Sequence, residues 1–450
     1  MLPRAAIAVT LALVAGLVAF AAIAAEPVNT LRQALEATYA ENPELDAARA
    51  RLRAVDENVP QALAGYRPRV FVDGNADAVS GQTDLGDLDR RGAGVALSLR
   101  QNLYAGGGTE AAVRRAEQQV RAERGRLFAT EQQVLLAAVE AYSATWRDRA
   151  VLDFARNNRD RIARQLQATR DRFSVGEVSR TDVAQAEARL SRARADVERA
   201  LADLAASTAE FRRVIGRDPA DPLAEPEVYE GLPGSLEEAL ARAENHPSVV
   251  AARFDLEAAR AAVDEAAAGL RPTLDLRADA SYASEPSASL DWQRSGSVGL
   301  QLSVPLYQGG ADYARVRQAR QTVTQRQRDL DAVTREIQRQ VASAWEALRA
   351  TGAAISAFEA QVRANQIALE GVRQEALVGT RTVLDVLDAE QELFDSQVSL
   401  VRAQRDRVVA SYRLASAIGE LGAARLGLAV ELYEPEAYYE RQRTRLFGLE

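Results

Sequence analysis

The chain has 450 residues, no cysteine, a single histidine and a formal net charge of −8. Without thiols it holds neither disulfides nor thiolate metal sites, and its acidic balance disfavours nucleic acid as a partner. One histidine, with no phosphate-cradling glycine loop or nucleophile elbow, offers little from which to build an enzyme, so neither catalysis nor a cofactor is expected.

At the N-terminus Arg4 precedes an apolar run from Ala5 to Phe20 and the small-residue pattern Ala22-Ile23-Ala24. This reads as a secretory signal peptide over 1–24, because the run falls short of the roughly 20 residues of a spanning helix and no stop-transfer flank follows. No later stretch reaches that length either, so a mature chain that enters a membrane must do so through strands.

The remainder is one unit written twice. A shift of 204 carries Pro43, Arg49, Leu52, Gly65 and Pro68 onto Pro247, Arg253, Leu256, Gly269 and Pro272. A shift of 203 carries Leu103-Tyr104, Gly106-Gly107, Gly176 and Asp182 onto Leu306-Tyr307, Gly309-Gly310, Gly379 and Asp385. The units are placed at 25–216 and 235–421, with a Pro-rich linker at 217–234 and a tail at 422–450 that are both available to form a belt.

Each unit opens with a helix, Thr30 to about Gly65 in the first. Two strands follow, recognised by a period of two: Leu274, Leu276, Ala278, Ala280 and Tyr282 alternate with Asp275, Arg277, Asp279 and Ser281, and Val95, Leu97 and Leu99 with Ala96, Ser98 and Arg100. An apolar and a polar face suit a wall between lipid and water. The polar segments Ser80 to Arg91 and Ala283 to Arg294 are expected as outer loops.

From Thr109 to about Phe173 proline is absent and apolar residues recur every seven positions as Val113, Val120, Leu127, Val134 and Ala141, a coiled-coil seam. The return segments repeat the period with Val183, Leu190, Val197, Leu204 and Phe211, and with Val386, Leu393, Leu400 and Leu414, a stripe that Arg407 interrupts. A rod of about 65 residues measures near 100 Å, so a return helix of about 36 residues needs the opening helix laid end to end with it to match.

The segment from Val378 through Gly379-Thr380-Arg381-Thr382-Val383-Leu384-Asp385 to Glu390, its echo at Phe173 to Glu187 and the Leu-Tyr-x-Gly-Gly turns at Leu103 and Leu306 resemble the TolC-like outer-membrane efflux protein family. The likeness covers nearly all of the mature chain. It implies a mainly α fold with transmembrane β: a homotrimer whose subunits each give four strands to a shared 12-stranded barrel above a long α-helical coiled-coil tunnel. It further implies a place in the cell outer membrane, extending into the periplasm, and work as the exit duct of a tripartite efflux or type I secretion system. A periplasmic adaptor protein and an inner-membrane transporter would be its partners, and small toxic compounds or secreted proteins its cargo.

Carried over by position, Asp385 and Asp388 match the pore constriction of the family, and Thr181, Asp182 and Arg381 match polar contacts that latch neighbouring tips. Ala376 stands where tyrosine is common, which removes one latch contact. Residues three apart share a helix face, so Asp385 and Asp388 would gather six carboxylates under threefold symmetry. A plainer role competes, since Ser179-x-x-Asp182 and Thr382-x-x-Asp385 are also capping boxes. At the level of the whole chain the alternative is a non-channel periplasmic coiled-coil scaffold or adaptor. It would need one hairpin and separate soluble β domains, whereas here there are two matched hairpins.

Overall fold

The computed structural model describes residues 27–448 apart from 85 and 288–289, so the signal peptide expected over 1–24 lies outside the described residues. The first unit begins with three short helices, α1 (Leu31–Glu41), α2 (Pro43–Asp56) and α3 (Asn58–Leu63), rather than the single helix expected from Thr30 to Gly65. The break is local chemistry. Pro43 has no N–H to donate and sits at the first position of α2, while the Asn42 side chain accepts from the amides of Glu44 and Leu45.

Strands β1 (Arg69–Thr83) and β2 (Gly86–Tyr104) lead into α4 (Gly108–Ser174), which α5 (Arg180–Ile215) retraces. The second unit repeats the order with α6 (Leu236–Ala243), α7 (Pro247–Ala268), β3 (Thr273–Ser287), β4 (Leu290–Ser303), α8 (Ala311–Leu377) and α9 (Val383–Ala417), before α10 (Ala423–Leu426) and α11 (Pro435–Arg443). Both long helices have 67 residues, about 100 Å of rod. Each follows a glycine turn: Gly106-Gly107 and Gly309-Gly310 take φ of +65, +85, +64 and +81°, a left-handed path that a side chain would oppose.

The four strands form one antiparallel sheet in the order β1-β2-β3-β4. Register aligns the apolar set across it: Val70 opposes Leu99, Leu99 opposes Ala278 and Ala278 opposes Val298. Such alignment is what turns four alternating sequences into one continuous apolar belt. The segments expected as outer loops are strand instead. Val79 pairs with Arg90 and the ladder runs on to Thr83 and Gly86, and Ser287 pairs with Leu290. At 14 to 19 residues the strands are longer than the roughly 9–11 that suffice to cross a bilayer, and their polar ends extend past the apolar belt. Among the described residues no helix is long and apolar enough to cross a membrane.

Helix α4 packs on α5, α7 and α9, and α8 on α6, α7 and α9. The core is centred at mid-length, where Tyr142 is fully buried and its hydroxyl donates to the carbonyls of Asn29 and Ala224 at 2.7 and 2.8 Å. Linker residues Leu223, Val228 and Tyr229 and tail residues Leu426, Leu428 and Val430 pack on that core, so the two segments girdle the rods together. The tail beyond is also held: Arg49 lies between the rings of Tyr39 and Tyr433, and Tyr438 donates to Glu57. Arg407 is exposed because the buried stripe of α9 steps by one residue to Val401, Val408 and Ala415.

Candidate functional site

The α4–α5 and α8–α9 hairpins end in tips whose turns are built alike. Gly176 and Gly379 follow the long helices at φ of +81 and +80°, and three residues later a capping box starts the return helix. In the first, Asp182 Oδ2 accepts from the amide and hydroxyl of Ser179, both at 2.8 Å. In the second, Asp385 Oδ2 accepts from the amide and hydroxyl of Thr382 at 2.9 and 2.8 Å. Donation from the Thr382 amide, then from its hydroxyl, with Arg381 nearby, holds the Asp385 carboxyl below the usual carboxylate range.

The tips lie side by side. A cleft of about 720 Å³ between them is lined by Asp182 from one and by Ala376, Arg381 and Thr382 from the other. Arg381 is turned to its own hairpin, 2.9 Å from Glu375, and Thr181 is exposed. Asp388, one turn beyond Asp385, is engaged by Arg189 of α5. Within one chain the structure therefore brings Asp182 and Arg381 to one cleft and ties Asp388 to the other hairpin, while Asp385 caps its helix.

Glu390 escaped the sequence reading. Its carboxylate is 4% exposed and takes ion pairs from Arg161 of α4, at 2.6 Å, and from Arg373 of α8. The repeat contained the signal: Arg373 and Glu390 fall on Arg170 and Glu187, a pair at 2.6 Å in the first hairpin. There the glutamate is 49% exposed, so the same pair is peripheral in one unit and central in the other.

His246 is structural. Its Nδ1 accepts from the Ser248 amide at the start of α7, and burial holds its pKa below the usual histidine range.

The sequence profile of outer membrane efflux proteins matches the chain twice, over residues 34–217 and 238–420. The chain belongs to the outer membrane efflux protein family. It is 37% identical over 424 residues to the outer membrane efflux protein BepC of Brucella suis, covering 94% of this chain and 92% of that one. It is 31% identical to the alkaline protease secretion protein AprF of Pseudomonas aeruginosa, over 67% of this chain and 65% of that one. The fold is similar to the outer membrane protein VceC of Vibrio cholerae, with a TM-score of 0.75 at 20% identity, covering 86% of this chain and 96% of that one. As a member of this family the chain is an outer-membrane efflux channel protein whose helical part extends into the periplasm.

Proposed function

We propose that three copies close into a ring whose strands form a 12-stranded barrel and whose helices form a tunnel, the exit duct of a tripartite efflux or type I secretion system. The observation that carries this reading is the pair of sheet edges. Among the described residues β1 and β4 each leave one side of the ladder without a partner strand, on a sheet with a continuous apolar belt. In a bilayer each unpaired backbone group costs several kcal/mol, so edges of successive copies must pair. Helix α8 supports the same ring, since Asp312, Val316, Ile337, Val341, Ile355 and Leu369 are its only buried residues in a single chain.

The signal peptide delivers the chain for export, and the two units, the linker girdle and the tail divide the mature protein as the sequence suggests. An inner-membrane transporter and a periplasmic adaptor engage the tips and feed either small toxic compounds or secreted proteins. Asp385 and Asp388 line the constriction, where the capped and ionised Asp385 contributes negative charge that favours cations. Thr181, Asp182 and Arg381 latch adjoining tips, with Arg381 exchanging Glu375 for a partner across the cleft.

Reconstitution into planar bilayers tests the proposal. Purified protein is expected to be trimeric by light scattering in detergent and to give discrete, cation-preferring conductance steps. A monomer that never conducts overturns the duct, and a conducting trimer whose selectivity is untouched by Asp385→Ala with Asp388→Ala overturns the constriction assignment.

A further inference from the structure

The duplication carries a charge pattern that spans three neighbouring helices. Arg51 of α2 lies 2.8 Å from Glu123 of α4, Glu123 lies 2.9 Å from Arg126 one turn on, and Arg126 pairs with Asp255 of α7. The repeat shift moves Arg51 onto Asp255, Glu123 onto Arg326 and Arg126 onto Asp329. All three charges reverse. The pair along α4 reappears along α8 with its sign inverted, as Arg326 and Asp329 at 3.3 Å.

This reversal is what a ring of alternating units demands. The α7 helix must serve as partner to Arg126 while occupying the place that α2 holds in the first unit, so its residue 255 has to be opposite in charge to Arg126. The inversion then passes to α8, whose Asp329 calls for a cation on the next helix round. Asp255 shifted back by one unit is Arg51. Because a chain contains two units, the alternation closes without conflict when the next helix is α2 of another copy.

Given the ring proposed above, we infer that Asp329 of one copy pairs with Arg51 of the next, a charge-inverted replica of Arg126 with Asp255 at every interface between copies. Both side chains are available in the single chain, Arg51 at 69% and Asp329 at 46% exposure. The residue types make the proposed seam between copies wider than the one inside the chain. Where α7 crosses α4 at Gly125, an added Cβ would lie 3.0 Å from Ala251 Cβ, and α8 carries Arg328 at that level. Long charged side chains are the residues that reach across such a gap, and a like-charged alternative would repel.

The absence of cysteine makes the test direct. Full-length protein carrying Arg51→Cys together with Asp329→Cys, treated in detergent with a bis-methanethiosulfonate cross-linker whose span matches an arginine–aspartate pair, is expected to give reducible bands of two and three chains on denaturing gels. Either variant alone is expected to give neither, and co-expression of the two single variants to give the two-chain band. Asp329→Asn is expected to lower the temperature at which the ring dissociates by several degrees, and Asp329→Glu to retain it. A double-cysteine protein that remains a ring by light scattering yet runs only as single chains overturns the pairing and leaves the ring standing. Unaltered protein that is monomeric in detergent overturns both.

Discussion

Arg189 of α5 pairs with Asp388 of α9 although 199 positions separate them in sequence, and the pair joins the two hairpins of one chain next to their tips. It also offsets a carboxylate proposed for the constriction. Asp388 is half exposed, so the pair is worth no more than about 1 kcal/mol and can be broken without unfolding the hairpins.

Removing that cation is therefore expected to uncover charge. In planar bilayers Arg189→Ala should raise the preference for cations by about two-fold, the effect of releasing a contact worth about 0.5 kcal/mol. Asp388→Asn should shift the reversal potential the opposite way.

Glu390 and Glu187 provide a matched comparison inside one molecule. Glu390→Gln leaves the guanidinium groups of Arg161 and Arg373 without their shared anion in a covered place. The loss expected in chemical unfolding is about 2–3 kcal/mol, below the ~3–5 of a fully buried pair because both arginines keep some solvent. Glu187→Gln, in the exposed counterpart, should cost under about 1 kcal/mol.

Asp56 is 1% exposed, and neither carboxylate oxygen has a hydrogen-bond partner among the described residues. Burial pushes its pKa up to about 6, against the pull of Arg124, which pairs with Glu436 of α11. A raised carboxyl favours the fold in its neutral form. Its contribution is complete below the ordinary value near 3.8 and disappears as pH rises through about 6. Between pH 4 and pH 7.5 the protein should lose about 2–3 kcal/mol from this group. Asp56→Asn should flatten the unfolding free energy across that interval.

The grip of Tyr39 and Tyr433 on Arg49 secures the chain leading to α11. Tyr433→Ala is expected to weaken it by about 1–2 kcal/mol, from one cation–π contact and lost ring burial. Limited trypsin digestion should then cut at Arg441 and Arg443 before the girdle is touched, with the rods intact by circular dichroism.

Period and repeat made most of this architecture readable in advance, because a seven-residue stripe and a two-residue alternation are direct consequences of how helices and strands present side chains. The strand ends were misread, since beyond the apolar belt the backbone ladder continues with polar residues on both faces and composition no longer reports it. The break at Asn42-Pro43 is legible as a cap followed by proline, a helix start that a single helix from Thr30 to Gly65 cannot accommodate. Asp182 and Asp385 were legible as capping residues, while the links of Asp388 to Arg189 and of Glu390 to Arg161 join distant helices and leave no local trace. The step of the α9 stripe at Arg407 likewise depends on what α9 packs against.

Several charges of helix α8 are paired along its own length: Arg315 with Asp312, Arg328 with Asp331, Arg339 with Glu336 and Arg349 with Glu346. If copies close into the proposed ring, this long flank faces water until a neighbouring copy covers it. In that interval, pairing along the helix would keep the flank hydrophilic rather than adhesive, while its charge pattern would still suit a second copy.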